Sequence, residues 1–317
     1  MADILVTGAS GFIGGQIAGE LSTAGHRVLG VGRADQPMFP GAWTYQALPG
    51  GQALANQGGL DAVVRGFQPE YLLHCAGTGR VDWTIARPAE DFASGPGLTF
   101  ALVDALRRLA PRCVTIYISS AAVHGAPQAE LIGADTPLDP ISPYGFHKLI
   151  CETILREFKT VYGLDSIVLR VLSCHGAGLR KQILWDICQK ARTGRVELFG
   201  TGQESRDFIH VRDLARLAGL LVGQGQRSGV FPVGSGRGVS MAELARMLLA
   251  ALGLGQVPVV FKGVGRQGDP SRWLCDVVPL AGVGFRTSVG LEEGVAEYAQ
   301  WFARLGQGVD PDCPSPS

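Results

Sequence analysis

The chain has 317 residues, 46% of them hydrophobic and 18% charged, a composition typical of a compact protein with a sizeable core rather than of a disordered one. Basic and acidic residues number 28 each, so no net charge is available to attract nucleic acid or an anionic membrane surface. Neither nucleic acid nor a membrane is therefore expected as a partner.

Targeting signals and cysteine spacing indicate the cellular location, the state of the thiols and whether a metal site is expected. No apolar stretch approaches the roughly 20 residues that span a bilayer, and the first strand begins close to Met1, so a cytoplasmic location is expected. The seven cysteines are odd in number and widely spaced, with no CxxC pair. This pattern predicts reduced, packed thiols and no metal site.

Strand-like and helix-like segments alternate through the first half of the chain. The predicted strands are 4–7, 27–31, 71–75, 114–119 and 166–172, and the predicted helices are 12–24, 60–66, 97–109 and 143–162. Such alternation is typical of a parallel sheet with helices on both faces. We therefore predict a doubly wound α/β domain over residues 1–172.

Beyond this domain the pattern becomes less regular. The predicted helices there are 180–192, 211–222 and 240–252, and the predicted strands are 196–198, 230–233 and 257–261. We assign residues 173–306 mainly to a smaller, substrate-binding α/β lobe, with a ligand crevice between the two lobes. Residues 307–317 are rich in proline, aspartate and serine and are expected to form a frayed tail.

The first predicted strand runs directly into a glycine-rich turn, TGASGFIG, from Thr7 to Gly14. The first glycine lets the chain leave the strand sharply, the second allows a pyrophosphate to approach the backbone, and the third lets the next helix lie close to the sheet. The N–H groups at the start of that helix then face the anion. The expected cofactor-binding residues of this turn are Gly8, Ser10, Gly11, Phe12, Ile13 and Gly14.

The end of the second predicted strand bears on the choice of cofactor. Gly32 stands where an acidic residue normally binds the adenosine ribose of NAD, and Arg33 follows it. A guanidinium binds a 2′-phosphate in forked geometry, and the missing carboxylate removes a repulsion. These two residues favour NADP(H), with NAD(H) as the alternative cofactor and a solvated surface arginine as the alternative interpretation of Arg33.

The predicted strand 71–75 ends in the sequence HCAG, residues 74–77. The small residues Ala76 and Gly77 would let a cofactor pass close to the backbone, so both are expected in its binding site. His74 lies inside an apolar strand, before the end that faces the crevice. We therefore expect it to be a packed, hydrogen-bonded core residue rather than a ligand or a base.

Two later segments carry groups suited to proton transfer. The strand 114–119 leads into Ser119 and Ser120, and a hydroxyl at the carboxyl end of such a strand lies where open α/β sheets bind ligands. Further on, the spacing of Tyr144 and Lys148 places both on one face of a helix. An ammonium near a phenol favours its ionised form, so Tyr144 can exchange a proton with a sugar oxygen.

In this order, the three motifs resemble the short-chain dehydrogenase/reductase superfamily, and more narrowly its extended branch, which modifies nucleotide sugars. The branch is indicated by residues 200–215, GTGQESRDFIHVRDLA, and the similarity runs from about Asp3 to about Phe302. The resemblance implies that Ser120, Tyr144 and Lys148 are catalytic and that Lys148 also binds the nicotinamide ribose. It further implies substrate-binding residues in the second lobe, and we assign these to Ser173, Arg206, Arg266 and Arg272.

Departures from the family pattern narrow the reaction. Dehydratases and decarboxylases of the family place an acid just after the catalytic serine, whereas Ala121 and Ala122 cannot titrate, so both activities are disfavoured. The GDP-sugar epimerase-reductases use a cysteine near that serine and a histidine just beyond the strand that corresponds to residues 166–172. Ala122 replaces the cysteine, and Cys174 and His175 need not face one site, so a catalytic role for His175 is a minority interpretation.

The favoured function is thus that of an NADPH-dependent 4-keto-sugar reductase acting on a nucleotide-linked sugar. The alternative is a nucleotide-sugar 4-epimerase that uses the same three groups and retains NAD. A non-catalytic dinucleotide-binding sensor is less favoured, because a pure binding protein has no need of a proton-transfer pair. A homodimer is also expected, since the helices 97–109 and 143–162 carry apolar residues on more than one face.

Overall fold

The computed structural model describes residues 1–48, 57–263 and 272–305. Its strands are β1 (Asp3–Thr7), β2 (Arg27–Gly32), β3 (Thr44–Ala47), β4 (Tyr71–His74), β5 (Val114–Ser120), β6 (Ser166–Val171), β7 (Ser173–His175), β8 (Val196–Leu198), β9 (Ser205–His210), β10 (Gly229–Val233), β11 (Gly238–Ser240) and β12 (Val259–Phe261).

The α-helices of the described residues are α1 (Phe12–Thr23), α2 (Gln57–Phe67), α3 (Val81–Ala86), α4 (Pro88–Phe92), α5 (Leu98–Leu109), α6 (Pro143–Tyr162), α7 (Gln182–Ala191), α8 (Val211–Gly223), α9 (Met241–Ala251), α10 (Val278–Gly282) and α11 (Leu291–Leu305). A π-helical turn, Ala93–Gly97, precedes α5, and a 3₁₀ turn, Ala121–His124, follows β5.

Seven strands form one sheet in the order β10-β6-β5-β4-β1-β2-β3, and every neighbouring pair is parallel. Apart from β10, this is the strand order of dinucleotide-binding domains. Strands are added towards one edge from β1 to β3 and towards the other edge from β4 onwards. The remaining strands form two small sheets, β11-β9-β7 and β12-β8. The predicted doubly wound α/β class is confirmed.

Both faces of the large sheet are buried under helices. Ile4 and Val6 of β1 share one hydrophobic cluster with α1 and α8, whereas Leu5, between them, belongs to a second cluster with α5 and α6. Successive side chains of a strand point to opposite faces, so this division follows the pleat. Because helices cover both faces, the crevice lies at the edge of the sheet that the carboxyl ends of the strands form.

The chain leaves the large sheet after β6, enters the smaller lobe at β7 and later returns. β10 pairs with β6 in parallel, with Phe231 opposite Leu169, so a segment assigned to the smaller lobe also provides the edge strand of the large sheet. Pairing of this kind depends on partners distant in sequence. The tail 307–317 lies outside the described residues.

Three expectations concern the thiols, a metal site and a membrane, and the described residues give an observation for each. Six cysteines lie in the described part of the chain, all free and five of them buried, while Cys313 lies outside it. In the same part, no cluster of three or more His, Cys, Asp or Glu residues is arranged to hold a metal ion. No helix within the described ranges has the length and apolarity needed to cross a membrane.

Candidate active site

The glycine turn between β1 and α1 has the shape that a pyrophosphate requires. Gly8 has a φ of 70°, and a Cβ added to it would lie 2.8 Å from the backbone nitrogen of Ala76, so the turn closes tightly against the end of β4. A side chain on Gly14 would overlap the carbonyl oxygen of Gly8. Glycine is therefore required at both positions. The turn leaves the start of α1, after Gly11, available to an anion.

The other residues expected around the cofactor lie next to this turn. Phe12 is buried against Phe39, so its contribution to a cofactor would come from its backbone, while Ser10 and Ile13 are half-buried. Gly77, just after Ala76, has a φ of 130°, and no described atom lies within 4 Å of a Cβ added there. The loop after β4 is thus open on the side that a dinucleotide would pass.

The end of β2 is crowded by neighbouring side chains at position 32. A Cβ on Gly32 would overlap the hydroxyl of Ser10 and would lie 2.8 Å from the hydroxyl of Tyr45. The Tyr45 hydroxyl donates a hydrogen bond to the carbonyl of Ala34 at 2.5 Å, and burial raises the pKa of this tyrosine. Arg33 is exposed and has no hydrogen bond or ion pair within the described ranges. The hydroxyls of Ser10 and Tyr45 thus occupy the space that an aspartate side chain would need.

The two serines at the end of β5 have different surroundings. The Ser119 hydroxyl donates to the carboxylate of Glu152 at 2.5 Å, and Glu152 forms a buried ion pair with Arg170 at 2.9 Å. The Ser120 hydroxyl accepts a hydrogen bond from the backbone N–H of Ala122 at 3.2 Å, at the start of the 3₁₀ turn. Because neighbouring residues of a strand face opposite sides, only one serine joins the buried ion pair. Ser120 is the one left for a ligand.

Helix α6 brings Tyr144 and Lys148 to the same end of β5. The helix begins at Pro143, and the hydroxyl of Ser142 caps it by accepting the N–H of Gly145 at 3.2 Å. The Lys148 ammonium donates to the carbonyl of Ile118 at 2.8 Å, and it lies 5.8 Å from the centre of the Tyr144 ring. A Cβ on Gly145 would lie only 2.5 Å from the carbonyl oxygen of Ala122, so α6 packs directly on the turn after Ser120.

A histidine–aspartate pair at this site was not singled out from the sequence. His147, between the tyrosine and the lysine of the motif, hydrogen-bonds through Nδ1 to the buried carboxylate of Asp91. Both residues line a small cavity together with Gly77, Tyr144 and Lys148. In the sequence, the pair is indicated only by a titratable residue between Tyr144 and Lys148. Its partner Asp91 belongs to α4, 56 residues earlier, so the contact depends on tertiary packing.

His74, which was expected in the core, and His175, for which catalysis was a minority interpretation, are both buried. His74 is buried between the hydroxyls of Thr7 and Thr99, at 2.8 and 3.0 Å, and burial lowers its pKa to about 3. The role predicted for His74 is confirmed. His175 hydrogen-bonds through Nδ1 to the carbonyl of Ile209 at 3.0 Å and packs edge-on against His210. These contacts hold it within the second lobe, so the structure gives no support to a catalytic role.

The residues expected to bind substrate are only partly brought together. Arg206 is half-buried, donates to the carbonyl of Ser205 at 2.9 Å and lies 5.5 Å from the ring of Trp273. Trp273 in turn donates to the carbonyl of Gly125 at 3.1 Å, which connects Arg206 to the end of the turn after Ser120.

The other substrate-lobe residues are less closely associated with that turn. Ser173 is half-buried at the start of β7, paired with Phe208 of β9. The exposed guanidinium of Arg272 lies 3.7 Å from Glu130. Arg266 lies outside the described residues.

The chain resembles known proteins over most of its length. The family model described as "NAD dependent epimerase/dehydratase family" matches residues 4–234. A UDP-glucose 4-epimerase of Azospirillum brasilense is 32% identical over 294 residues, which cover 84% of this chain and 82% of that protein. A UDP-glucose 4-epimerase of Mycolicibacterium smegmatis is 29% identical and covers 96% and 99%.

A solved structure extends the similarity to three dimensions. MoeE5, in complex with UDP-glucose and NAD, is 28% identical to this chain and superposes with a TM-score of 0.85. The match covers 96% of this chain and 99% of MoeE5. The similarity therefore includes both lobes and not only the nucleotide-binding half.

Proposed function

The chain belongs to the NAD dependent epimerase/dehydratase family, and we propose that it is a nucleotide-sugar 4-epimerase. The observation that carries this proposal is the convergence of Ser120, Tyr144 and Lys148 at the end of β5, beside the glycine turn. Ala121 and Ala122 are buried where a dehydratase would need an acid. Epimerisation at C4 needs a group that takes a proton and later returns it, and the site offers one.

The geometry suggests a role for each side chain. Tyr144, as the phenolate, accepts the proton of the sugar 4-hydroxyl while hydride leaves C4, and Ser120 donates a hydrogen bond to the developing carbonyl oxygen. The Lys148 ammonium donates one of its three N–H groups to the carbonyl of Ile118 and lies 5.8 Å from the centre of the Tyr144 ring. After the ketone presents its other face, hydride returns to C4 and Tyr144 returns the proton to O4.

A bound nicotinamide dinucleotide would accept and return the hydride. The turn at Gly8 and Gly14 and the open backbone at Gly77 fit such a molecule, and Lys148 is the residue that would hold the nicotinamide ribose. We propose NAD as this cofactor and a UDP-linked hexose as the substrate. Support comes from MoeE5, which was solved with NAD and UDP-glucose, while the NADP preference expected from Gly32 and Arg33 has no support from these relatives.

The proposal is tested by incubating the full chain with UDP-galactose and NAD⁺ and separating the sugar nucleotides. We expect conversion to UDP-glucose with no net appearance of reduced nicotinamide, because the cofactor is regenerated within each turnover. The control omits the enzyme. Net consumption of NADPH with a 4-keto nucleotide sugar, without interconversion of the two hexoses, would contradict the proposal and leave a reductase.

The NADPH-dependent 4-keto-sugar reductase remains the second candidate, and the observation that favours it is the exposed Arg33 beside Gly32. For this candidate, Arg33→Ala should weaken NADPH binding by about 1.5–3 kcal/mol, the cost of losing a charged hydrogen bond, and should leave NADH binding unchanged. Arg246→Ala removes another exposed guanidinium, on α9, and serves as the control. Equal affinities of the unmodified protein for NADPH and NADH would exclude the preference.

We also propose that the chain forms a homodimer through α5 and α6. Phe100 on α5 and Phe146 on α6 are 47% and 51% exposed, which is unusual for large apolar side chains on helices that already pack on the sheet. Burying these faces in a four-helix bundle would remove both rings from water. Light scattering at micromolar concentration should give the mass of two chains, and a monomer mass would count against the dimer.

A further inference from the structure

Tyr117, in the middle of β5, is a fully buried tyrosine to which the proposed mechanism gives no role. Its side chain lies on the face of the large sheet that α6 covers, in the same hydrophobic cluster as Cys151 and Leu155 of that helix. The next residue, Ile118, belongs to the cluster on the opposite face, as the pleat of a strand requires. Tyr117 is therefore directed towards α6, the helix that carries Tyr144 and Lys148.

The Lys148 ammonium lies over the ring of this tyrosine. Its nitrogen is 4.8 Å from the ring centre, and it donates to the carbonyl of Ile118 at 2.8 Å. Within the described residues, Lys148 forms no ion pair with a carboxylate, and Asp91, which lines the same cavity, is hydrogen-bonded to His147 instead. An aromatic face attracts an ammonium within about 6 Å of its centre. The ring and the neighbouring carbonyl thus hold the ammonium together.

The ring is itself held in place from behind. The Tyr117 hydroxyl shares a hydrogen bond with the thiol of Cys151, and that sulfur accepts another from the Thr99 hydroxyl at 3.3 Å. The His74 ring packs against Tyr117 with the ring centres 5.3 Å apart. Burial raises the pKa of Tyr117 well above the ordinary value of a phenol, so the hydroxyl stays neutral. These contacts leave the ring face as the part of Tyr117 that is turned to Lys148.

We propose that Tyr117 is a positioning residue, whose ring face holds the Lys148 ammonium where it meets the cofactor. This inference rests on the proposed function, which gives Lys148 the nicotinamide ribose. One N–H group of the ammonium is used on Ile118, and the others remain for the cavity that Gly77 and Tyr144 also line. A flexible side chain that is already held loses less conformational freedom when a ligand binds. Weakening the ring face should therefore weaken cofactor binding.

The experiment weakens the ring face with little change in the shape of the core. Tyr117→Phe keeps the ring, and phenylalanine analogues with one, two or three ring fluorines at position 117 progressively withdraw electron density from its face. Calorimetric titration of the full chain with NAD⁺ measures the affinity. We expect Tyr117→Phe to bind within about 2-fold of the unmodified chain and the trifluoro analogue to bind about 10-fold more weakly. An affinity that stays constant along the series would overturn the proposal.

Thermal unfolding of the same variants separates positioning from packing. Fluorine adds little volume, so the unfolding temperatures along the series should stay close to that of Tyr117→Phe. The same analogues at Phe158, a buried ring of α6 that packs on Phe100 and Tyr162, are the matched control and should leave NAD⁺ affinity unchanged. A loss of affinity that follows the unfolding temperature, or that is equal at position 158, would make Tyr117 a packing residue.

A second background tests whether the effect passes through the lysine. Lys148→Met removes the ammonium and keeps most of the stem. In this background the trifluoro analogue at position 117 should bind NAD⁺ as well as phenylalanine does there, because the two changes remove the same contact. The same 10-fold loss in the absence of the ammonium, taken as about one order of magnitude, would overturn the proposal.

Nuclear magnetic resonance of the chain without ligand gives a readout that does not depend on the reaction. The chain has five lysines, so selective isotope labelling gives few signals, and Lys148→Met identifies the signal of Lys148. The ring current of Tyr117 should shift the methylene protons next to that ammonium upfield, and Tyr117→Leu should abolish the shift. An ordinary lysine shift in the unmodified chain would overturn the proposal. If the chain does not interconvert hexoses, the proposed function fails, and these spectra still decide where Lys148 is held.

Discussion

The two sides of the carboxyl end of β5 differ in how their polar groups are satisfied. On one side, the Ser119 hydroxyl, the Glu152 carboxylate and the Arg170 guanidinium form a closed buried network. On the other side, Ser120 has only a local turn contact, and Tyr144 stands beside the crevice. The closed network fixes the position of α6 against β5 and β6. The open side keeps hydrogen-bonding capacity for a ligand.

This difference suggests a rule for the molecule: polar groups that complete their contacts within the protein hold the fold, and those left incomplete at the crevice act on ligands. Buried polar groups are costly unless they are paired, so an incomplete group near a crevice needs a functional reason. The changes described next test that division, from the largest expected effect to the smallest.

Tyr144→Phe tests the open side. The variant lacks the hydroxyl that we propose as the proton acceptor, so we expect kcat to fall by about 10²–10⁴-fold, while NAD⁺ affinity stays nearly constant. Steady-state epimerase kinetics and cofactor titration measure the two quantities. Tyr162→Phe, on the exposed last turn of the same helix, is the matched control and should retain full activity. Full activity in Tyr144→Phe would show that the tyrosine–lysine spacing has no catalytic meaning here.

Lys148→Ala extends the same test. Its ammonium would hold the nicotinamide ribose beside Tyr144, so we expect lower cofactor affinity as well as lower kcat, unlike the tyrosine variant. The same titration and kinetic assay measure both effects. Unchanged NAD⁺ affinity in Lys148→Ala would limit the lysine to its contact with the Ile118 carbonyl.

Arg170→Met tests the closed side. It leaves the Glu152 carboxylate buried without its partner, and breaking a buried ion pair in this way costs about 3–5 kcal/mol of the free energy of unfolding. Urea denaturation measures the loss. The double change Arg170→Met with Glu152→Leu removes both charges and should recover much of the stability. A single variant as stable as the unmodified chain would mean that the network does not hold the fold.

The sequence was sufficient for the parts of this arrangement that depend on local signals. Helix α6 has the predicted bounds, 143–162, because Ser142 and Pro143 start it and Gly163, with a φ of 73°, ends it. The glycine turn and the spacing of Tyr144 and Lys148 are local in the same sense. The dinucleotide-binding fold follows from the alternation of such segments.

Features that depend on distant partners could not be predicted in this way. The strands β7, β9 and β11 have three to six residues, too few for a clear pattern, and their identity depends on pairing with one another. Asp91 reaches the small cavity beside Tyr144 only through tertiary packing. In the sequence, Gly32 indicates a preference for NADP(H). In the structure, the hydroxyls of Ser10 and Tyr45 lie so close that a side chain at position 32 would overlap them.

A comparison of Ser119→Ala with Ser120→Ala sharpens the division at a single strand. Ser119→Ala takes a donor from a buried carboxylate, so we expect a loss of about 1–3 kcal/mol in the free energy of unfolding and little change in kcat. Ser120→Ala should lower kcat and leave stability nearly unchanged. Urea denaturation and kinetics on both variants give the comparison. The division is wrong if Ser119→Ala lowers kcat and Ser120→Ala lowers the free energy of unfolding.

His175 and His210 are among the buried residues with an incomplete polar atom, and they test how far the rule extends. Within the described residues the Nε2 atoms of both lack a hydrogen-bond partner, yet they lie in the second lobe, against Gly294. Burial lowers the pKa of His175 to about 3 and that of His210 to about 4, below the ordinary value of 6.5. Under the rule, incomplete atoms away from the crevice should affect stability alone.

The sign of the pH effect follows from these shifts. Below pH 6.5 the unfolded chain takes up protons that the folded chain does not, so the stability due to each neutral histidine is complete above that pH and falls as the pH approaches the folded pKa. At pH 5.5 we expect a loss of about 1 kcal/mol for His175. His175→Gln cannot titrate and should lose that much less between pH 7 and 5.5 in urea denaturation, with kcat at pH 7 unchanged. An acid-induced loss equal to that of the unmodified chain would exclude the histidine as its source, and a fall in kcat would mean that incomplete polar atoms outside the crevice also serve the reaction.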